Sequence, residues 1–196
     1  MAELKTKAGT QNFESAHVLY QNPTSGLIIG DEFTGASNAN GEGREVYLSF
    51  NSNVANSIGF IHCHLDNGTT FKVFSLDDII ALALIAKLST RPTNEFAVYV
   101  TTNSGTLALK INNKALLTSK IDFLEMTYND QEEEFKKKVD MHKTYSEQKL
   151  GLVKFLNNMP LIGSPGIDLY EKAGNNWNKL GLSADGNSVT NTPCNQ

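Results

Sequence analysis

The stretch from Ser75 to Leu88 constrains this chain more than any other. It carries apolar residues at 76, 79, 80, 82, 83, 84 and 85. At 3.6 residues per turn these fall nearly all round a helix, so a helix here must be buried. Arg91-Pro92-Thr93 ends it. The segment before it is just as apolar. Ile58 to His64 reads as a strand with Ile58, Phe60, His62 and His64 on one face and Gly59, Ile61 and Cys63 on the other.

Around this pair the chain reads as further strands and helices. Phe13 to Tyr20 has the β-branched and aromatic content of a short strand, Pro23 to Ser25 makes a turn, and Gly26 to Ile29 is a second apolar run. Thr34 to Gly43, rich in Gly, Asn and Ser, reads as a surface loop, and Glu45 to Phe50 alternates like a strand. Glu95 to Thr102 and Thr106 to Ile111 flank Asn103-Ser104-Gly105 as a hairpin. Asn129 to Asn157 reads mostly as amphipathic helix, broken by Pro160 to Gly166. Leu169-Tyr170 and Trp177 to Leu182, with turns at Ala173-Gly174 and Asp185-Gly186, form a small β-rich appendage that Trp177 would anchor. The order β-β-β-α-β-β-α is mixed α/β (α+β) and lacks the alternation of a doubly wound sheet.

Composition limits the function classes. With 196 residues, 40% of them hydrophobic, the chain can build a real core. A net charge of −4 without a basic cluster argues against a nucleic-acid surface. Glu132 to Lys138 runs acids then bases, the order that supports a solvated helix. No apolar run is long enough for a membrane span, and the first twenty residues do not read as a signal peptide. The polar opening Met1 to Thr10 would suit a piece cut from a longer protein, so the compartment stays open. Cys63 and Cys194 are too few for a disulfide framework and read as free thiols.

The chemistry concentrates at His62-Cys63-His64. Strand alternation points both imidazoles to one face with Cα atoms roughly 7 Å apart, close enough to share an ion. Asp78, in the first turn of the buried helix, is the natural third ligand, because loop 65–74 can fold it back over the histidines. Asp77 and Asp66 are rival ligands. Ser75-x-x-Asp78 before an apolar run is also a helix-capping box that needs no metal. The two histidines could also simply form a hydrogen-bonded pair in a polar pocket. His17 reads as a surface or core residue and His142 as a solvated one in a charged helix.

The ordered combination of His62-x-His64 and Ser75-x-x-Asp78, with an upstream glutamate, resembles the JAMM (JAB/MPN) metallopeptidases. The upstream candidate is Glu14 on the first strand, with Glu45 its rival. The resemblance spans roughly residues 10–112. It implies a JAB/MPN-like curved sheet flanked by helices, a zinc domain over 10–128, and a C-terminal helix and β-rich appendage over 129–196 packed on it. It also implies Zn2+ held by His62, His64 and Asp78, Glu14 as general base and Ser75 as an oxyanion donor. The implied activity is metal-assisted hydrolysis of a peptide or isopeptide bond in a peptide or protein substrate. Leu65 stands where that family usually has Pro, and ten residues separate His64 from Ser75, a longer span than usual. Those departures suit the alternative, a catalytically inactive scaffold or partner-binding module in a larger bacterial surface or effector protein.

Overall fold

A computed structural model describes residues 1–35, 45–46, 48, 54–65, 68 and 70–194. The chain order is α1 (Ala2–Thr10), β1 (Ser15–Asn22), β2 (Gly26–Thr34), β3 (Ser57–Cys63), α2 (Leu76–Leu88), β4 (Ala97–Thr101), β5 (Thr106–Ile111), α3 (Lys114–Met126), α4 (Tyr128–Val139), α5 (Tyr145–Asn157), β6 (Ile167–Ala173), β7 (Asn176–Leu182) and β8 (Val189–Pro193). The fold is mixed α+β. Among the described residues the eight strands make one sheet, ordered β2-β1-β3-β4-β5-β6-β7-β8. Every neighbouring pair is antiparallel except β3 and β4, which run parallel and are joined through α2.

The sheet is covered on both faces, which explains why β3 is buried along its whole length. On one face α2, α3, α4 and α5 pack over Phe60, Val98, Val100, Leu107 and Leu109. Phe135 of α4 is central there, edge-on to Phe155 at 5.1 Å and to Phe71 at 5.3 Å. On the other face Leu4 and Ala8 of α1 lie against Leu19, Ile58, Ile61, Cys63 and Tyr99. The opening Met1 to Thr10 is therefore not merely a polar lead-in. Leu4 and Ala8 stand four residues apart, one turn of helix, and that narrow stripe suffices to dock α1. Lys7 ties α1 to the edge strand through Glu32 at 2.5 Å.

The alternation expected for residues 58–64 holds from Phe60 to His64 but not at Ile58. Between β1 and β3 the register runs Leu19↔Gly59 and then Tyr20↔Ser57, so Ile58 is an extra residue in a β-bulge. It joins Ile61 and Cys63 on the α1 face rather than Phe60 and His62. Gly59 makes this possible with φ +149°, a backbone region that side chains avoid.

Other expectations shift in bounds. The first strand begins at Ser15, so Glu14 lies one residue before it and not on it. The second strand continues to Thr34. The single helix over 129–157 is two helices, α4 and α5, and α3 precedes them. His142 is exposed, in the link between α4 and α5 and not inside a helix. β6 hydrogen-bonds to β5 and extends the same sheet, while α5 enters the same core as α2. Trp177 packs on Tyr99 with ring centroids 5.9 Å apart. Cys63 and Cys194 are both free. Among the described residues no helix is long and apolar enough to cross a membrane. The expected strand 45–50, except for residues 45, 46 and 48, and most of the expected loop 34–43 lie outside the described residues.

The bulge gives a direct test. A Cβ on Gly59 would stand 1.7 Å from the carbonyl oxygen of Ala97, a backbone atom that cannot give way alone. Gly59→Ala should therefore destabilise the protein by at least about 2 kcal/mol, from strain and overpacking together. Urea denaturation with an unchanged m-value and a lowered midpoint is the expected record; an unshifted midpoint would contradict this β3–β4 approach.

Candidate metal centre

His62 is the penultimate residue of β3, and His64 follows the strand by one position. Both point to the helix-covered face, because Phe60 does. His62 is walled by Phe60, at 5.2 Å between ring centroids, and by Phe74, at 6.2 Å. Both histidines are buried.

Backbone carbonyls fix the tautomers. The Nδ1 of His62 lies 3.0 Å from the carbonyl oxygen of Tyr99, and the Nδ1 of His64 lies 3.0 Å from that of Phe71. A carbonyl only accepts, so each Nδ1 carries the proton and donates it. In the neutral rings each Nε2 is then left with a bare lone pair, and the two Nε2 atoms face one another at 2.9 Å. This is the orientation that outer-shell bonds impose on metal-ligating histidines.

Asp78 completes the group. Its Oδ1 lies 3.1 Å from His62 Nε2 and its Oδ2 3.6 Å from His64 Nε2. The capping box expected from the sequence is present as well. The Ser75 backbone N–H donates to Oδ2 at 2.8 Å, the Ser75 hydroxyl donates to the same oxygen at 2.9 Å, and the Asp78 N–H donates back to Ser75 Oγ at 3.2 Å. Capping and ligation do not compete, since Oδ2 serves the cap while Oδ1 faces His62.

The three residues form a buried group that could hold a metal ion. Donor atoms around a tetrahedral ion with bonds of about 2.0–2.2 Å stand roughly 3.3 Å apart, close to the 2.9 Å between the two Nε2 atoms and the 3.1 Å from His62 Nε2 to Oδ1. Electrostatics ask for the same thing. Burial opposes a charge on His62, but the Asp78 carboxylate outweighs it and raises the imidazole pKa. Burial would likewise raise Asp78, yet the charge of His62 and its hydrogen bond hold that carboxyl far below the usual range. Two imidazoles and a carboxylate in a dry site favour a positive charge between them, which a proton on His62 Nε2 or a bound metal ion could supply.

Glu14 is buried and reaches this group, its Oε1 4.0 Å from His64 Nε2. The register explains how. Ala16 pairs with His62 across β1 and β3, so continuing the ladder by two residues sets Glu14 opposite His64 on the same face. The Val46 N–H donates to its Oε2 at 3.4 Å. Burial raises its pKa against the pull of the two histidines. Glu45 lines the same cleft but is exposed. Asp77 lines the cleft but is not in the group, one of its carboxylate oxygens accepting from the Tyr128 hydroxyl at 3.0 Å, and Asp66 lies outside the described residues. Ser75 lines the cleft with its hydroxyl committed to Asp78. His17 stands apart, bonded through Nδ1 to the carbonyl of Gly30.

Gln148 was not legible as part of this centre. The Phe71 carbonyl that orients His64 belongs to the same peptide group as the Lys72 N–H, and that N–H donates to the buried Oε1 of Gln148 at 2.8 Å. No local pattern links residue 148 of α5 to a loop near residue 71. The one available signal is a glutamine among the buried positions of an otherwise amphipathic helix.

Comparison with protein-family models, curated proteins and solved structures finds no match to this chain.

Asp78→Asn tests the division of labour within the carboxylate. The amide oxygen can keep the cap, while the NH2 group would donate to His62 Nε2 and fill the space of the cation. Metal uptake, measured by elemental analysis after dialysis against a divalent ion, should be lost in this variant and in His62→Ala. The melting temperature of metal-free Asp78→Asn should stay within a few degrees of the parent. Full metal occupancy in Asp78→Asn would leave that residue as a cap alone.

Proposed function

We propose that the chain is a zinc-dependent hydrolase resembling the JAMM metallopeptidases, with a JAB/MPN-like arrangement of sheet and helices, that cleaves a peptide or isopeptide bond. One observation carries the reading: the buried Glu14 carboxylate stands 4.0 Å from His64 Nε2, beside a group of two bare imidazole nitrogens and a carboxylate. Two nitrogens and one oxygen donor suit Zn2+, and three protein ligands leave a position for water. The order Glu14, His62-x-His64, Ser75-x-x-Asp78 is that of the resembling family.

When bound, zinc supplies a Lewis acid that acidifies a water and polarises the substrate carbonyl. His62, His64 and Asp78 would hold it. Glu14, with its pKa raised by burial, takes the proton from the attacking water and returns it to the leaving nitrogen as the C–N bond breaks. Phe60 and Phe74 keep bulk water from His62. Ser75 anchors Asp78 and would have to release it to stabilise an oxyanion. That commitment is the specific feature favouring the second reading, a metal-binding scaffold without turnover.

Zinc-loaded protein incubated with a mixed peptide library should release new termini detectable by mass spectrometry. Glu14→Gln should retain one zinc per chain and slow cleavage by about 10²- to 10⁴-fold, because an amide cannot accept the proton. Undiminished cleavage would move the base to another acid, Glu45 first. No cleavage by fully zinc-loaded parent protein would favour the scaffold.

A further inference from the structure

A helix packed on a sheet normally turns polar residues toward open space. α2 does so only in part. Beyond Asp77 it presents Ala81 and Leu84, one and two turns further along the same stripe, and both are only partly buried and line the cleft that holds His62, His64 and Asp78. Leu84 stands six positions after Asp78, so at 1.5 Å per residue the stripe runs about 9 Å away from the metal ligand. Facing it are Phe60, Ala16 and Leu48, all lining the same cavity of about 460 Å³. Phe60 stands two residues before His62, and Ala16 pairs directly with it. The apolar limb is thus continuous with the centre on both walls. Ala81, Leu84 and Leu48 pack against the core on one side, and among the described residues their remaining surface opens into the cavity, as the wall of a ligand site would.

We infer that this limb is a specificity subsite, taking a large aliphatic or aromatic side chain of the substrate residue next to the scissile bond. The inference rests on the metallopeptidase reading for its substrate class. A charged side chain would lose hydration against Ala81, Leu84 and Phe60, while a glycine would leave the limb empty.

Two peptide hydroxamates that chelate zinc, N-acetyl-glycine hydroxamate and N-acetyl-leucine hydroxamate, provide the test. Calorimetric titration of zinc-loaded protein should give roughly 10- to 100-fold tighter binding for the leucine compound, the yield of burying one such side chain. Ala81→Trp should fill the limb and collapse that ratio. Leu84→Asn, a change of similar size, should reduce it should the tryptophan variant fail to fold. Leu88→Asn, at the exposed far end of α2, should keep it. Equal affinities of the two compounds for the parent protein would overturn the subsite while leaving the metal centre standing. Failure to take up zinc would instead remove the metallopeptidase reading. The limb is then judged in the metal-free protein, where N-acetyl-leucine amide should shift the Ala81 and Leu84 methyl resonances, and unmoved resonances would overturn it.

Discussion

The carboxylate of Asp78 is the interaction on which the centre depends. One oxygen closes the capping box that starts α2, and the other faces His62 at 3.1 Å. The start of the most apolar helix is thereby tied to the end of the most buried strand. Capping alone contributes about 1 kcal/mol, small beside the cost of burying a carboxylate and two imidazoles without partners. The arrangement persists because each polar atom is used. Both Nδ1 groups donate to carbonyls, Oδ2 accepts from Ser75, and only the Nε2 lone pairs and Oδ1 converge on a common point. What remains unsatisfied is what a cation would satisfy.

The two faces of the sheet separate structure from chemistry. Odd positions of β3, Ile61 and Cys63, bury against α1, and even positions, Phe60 and His62, turn to the cleft. The bulge at Ile58 and Gly59 lies before this alternation and re-aims Ile58 onto α1. A slip by one residue would bury the imidazoles under α1 and aim Cys63 at the cleft. The docking of Leu4 and Ala8 on Ile61 and Cys63 helps to hold the register.

Where burial is strong and local signals agree, the sequence was legible. β3, α2 with its Ser75 cap, the hairpin of β4 and β5, and the grouping of His62, His64 and Asp78 could all be read from spacing. α1 was missed because its apolar stripe is two residues wide. α3 was missed although Asn113 caps it by accepting from the Leu116 N–H. The start of α5 repeats the capping-box signal at Thr144 and Glu147, which an unbroken charged pattern over 129–157 conceals. The fusion of β6 to β5 has no local signature, since it depends on edge hydrogen bonds between distant segments. Glu14 was chosen only for its upstream place in the resemblance; the ladder from Ala16 and His62 sets it opposite His64, and its position before the strand depends on where pairing with β2 starts.

The C-terminal part belongs to the physics of the centre. The peptide group between Phe71 and Lys72 is held from both ends: its carbonyl accepts from His64 and its N–H donates to Gln148. Gln148 is itself fixed, its amide donating to the carbonyls of Met141 at 3.1 Å and Lys143 at 3.0 Å. Bonds in such a chain polarise one another, so the accepting power of the Phe71 carbonyl, and with it the orientation of His64, is coupled to the link that starts α5. Phe71 is also held by its edge contact with Phe135 of α4, and Tyr128 joins the base of α4 to Asp77 beside Asp78. Phe71 and Lys72 are thus held by two helices from beyond residue 127. The histidine pair is set by β3, its third partner by α2, and the peptide group that orients His64 by α4 and α5.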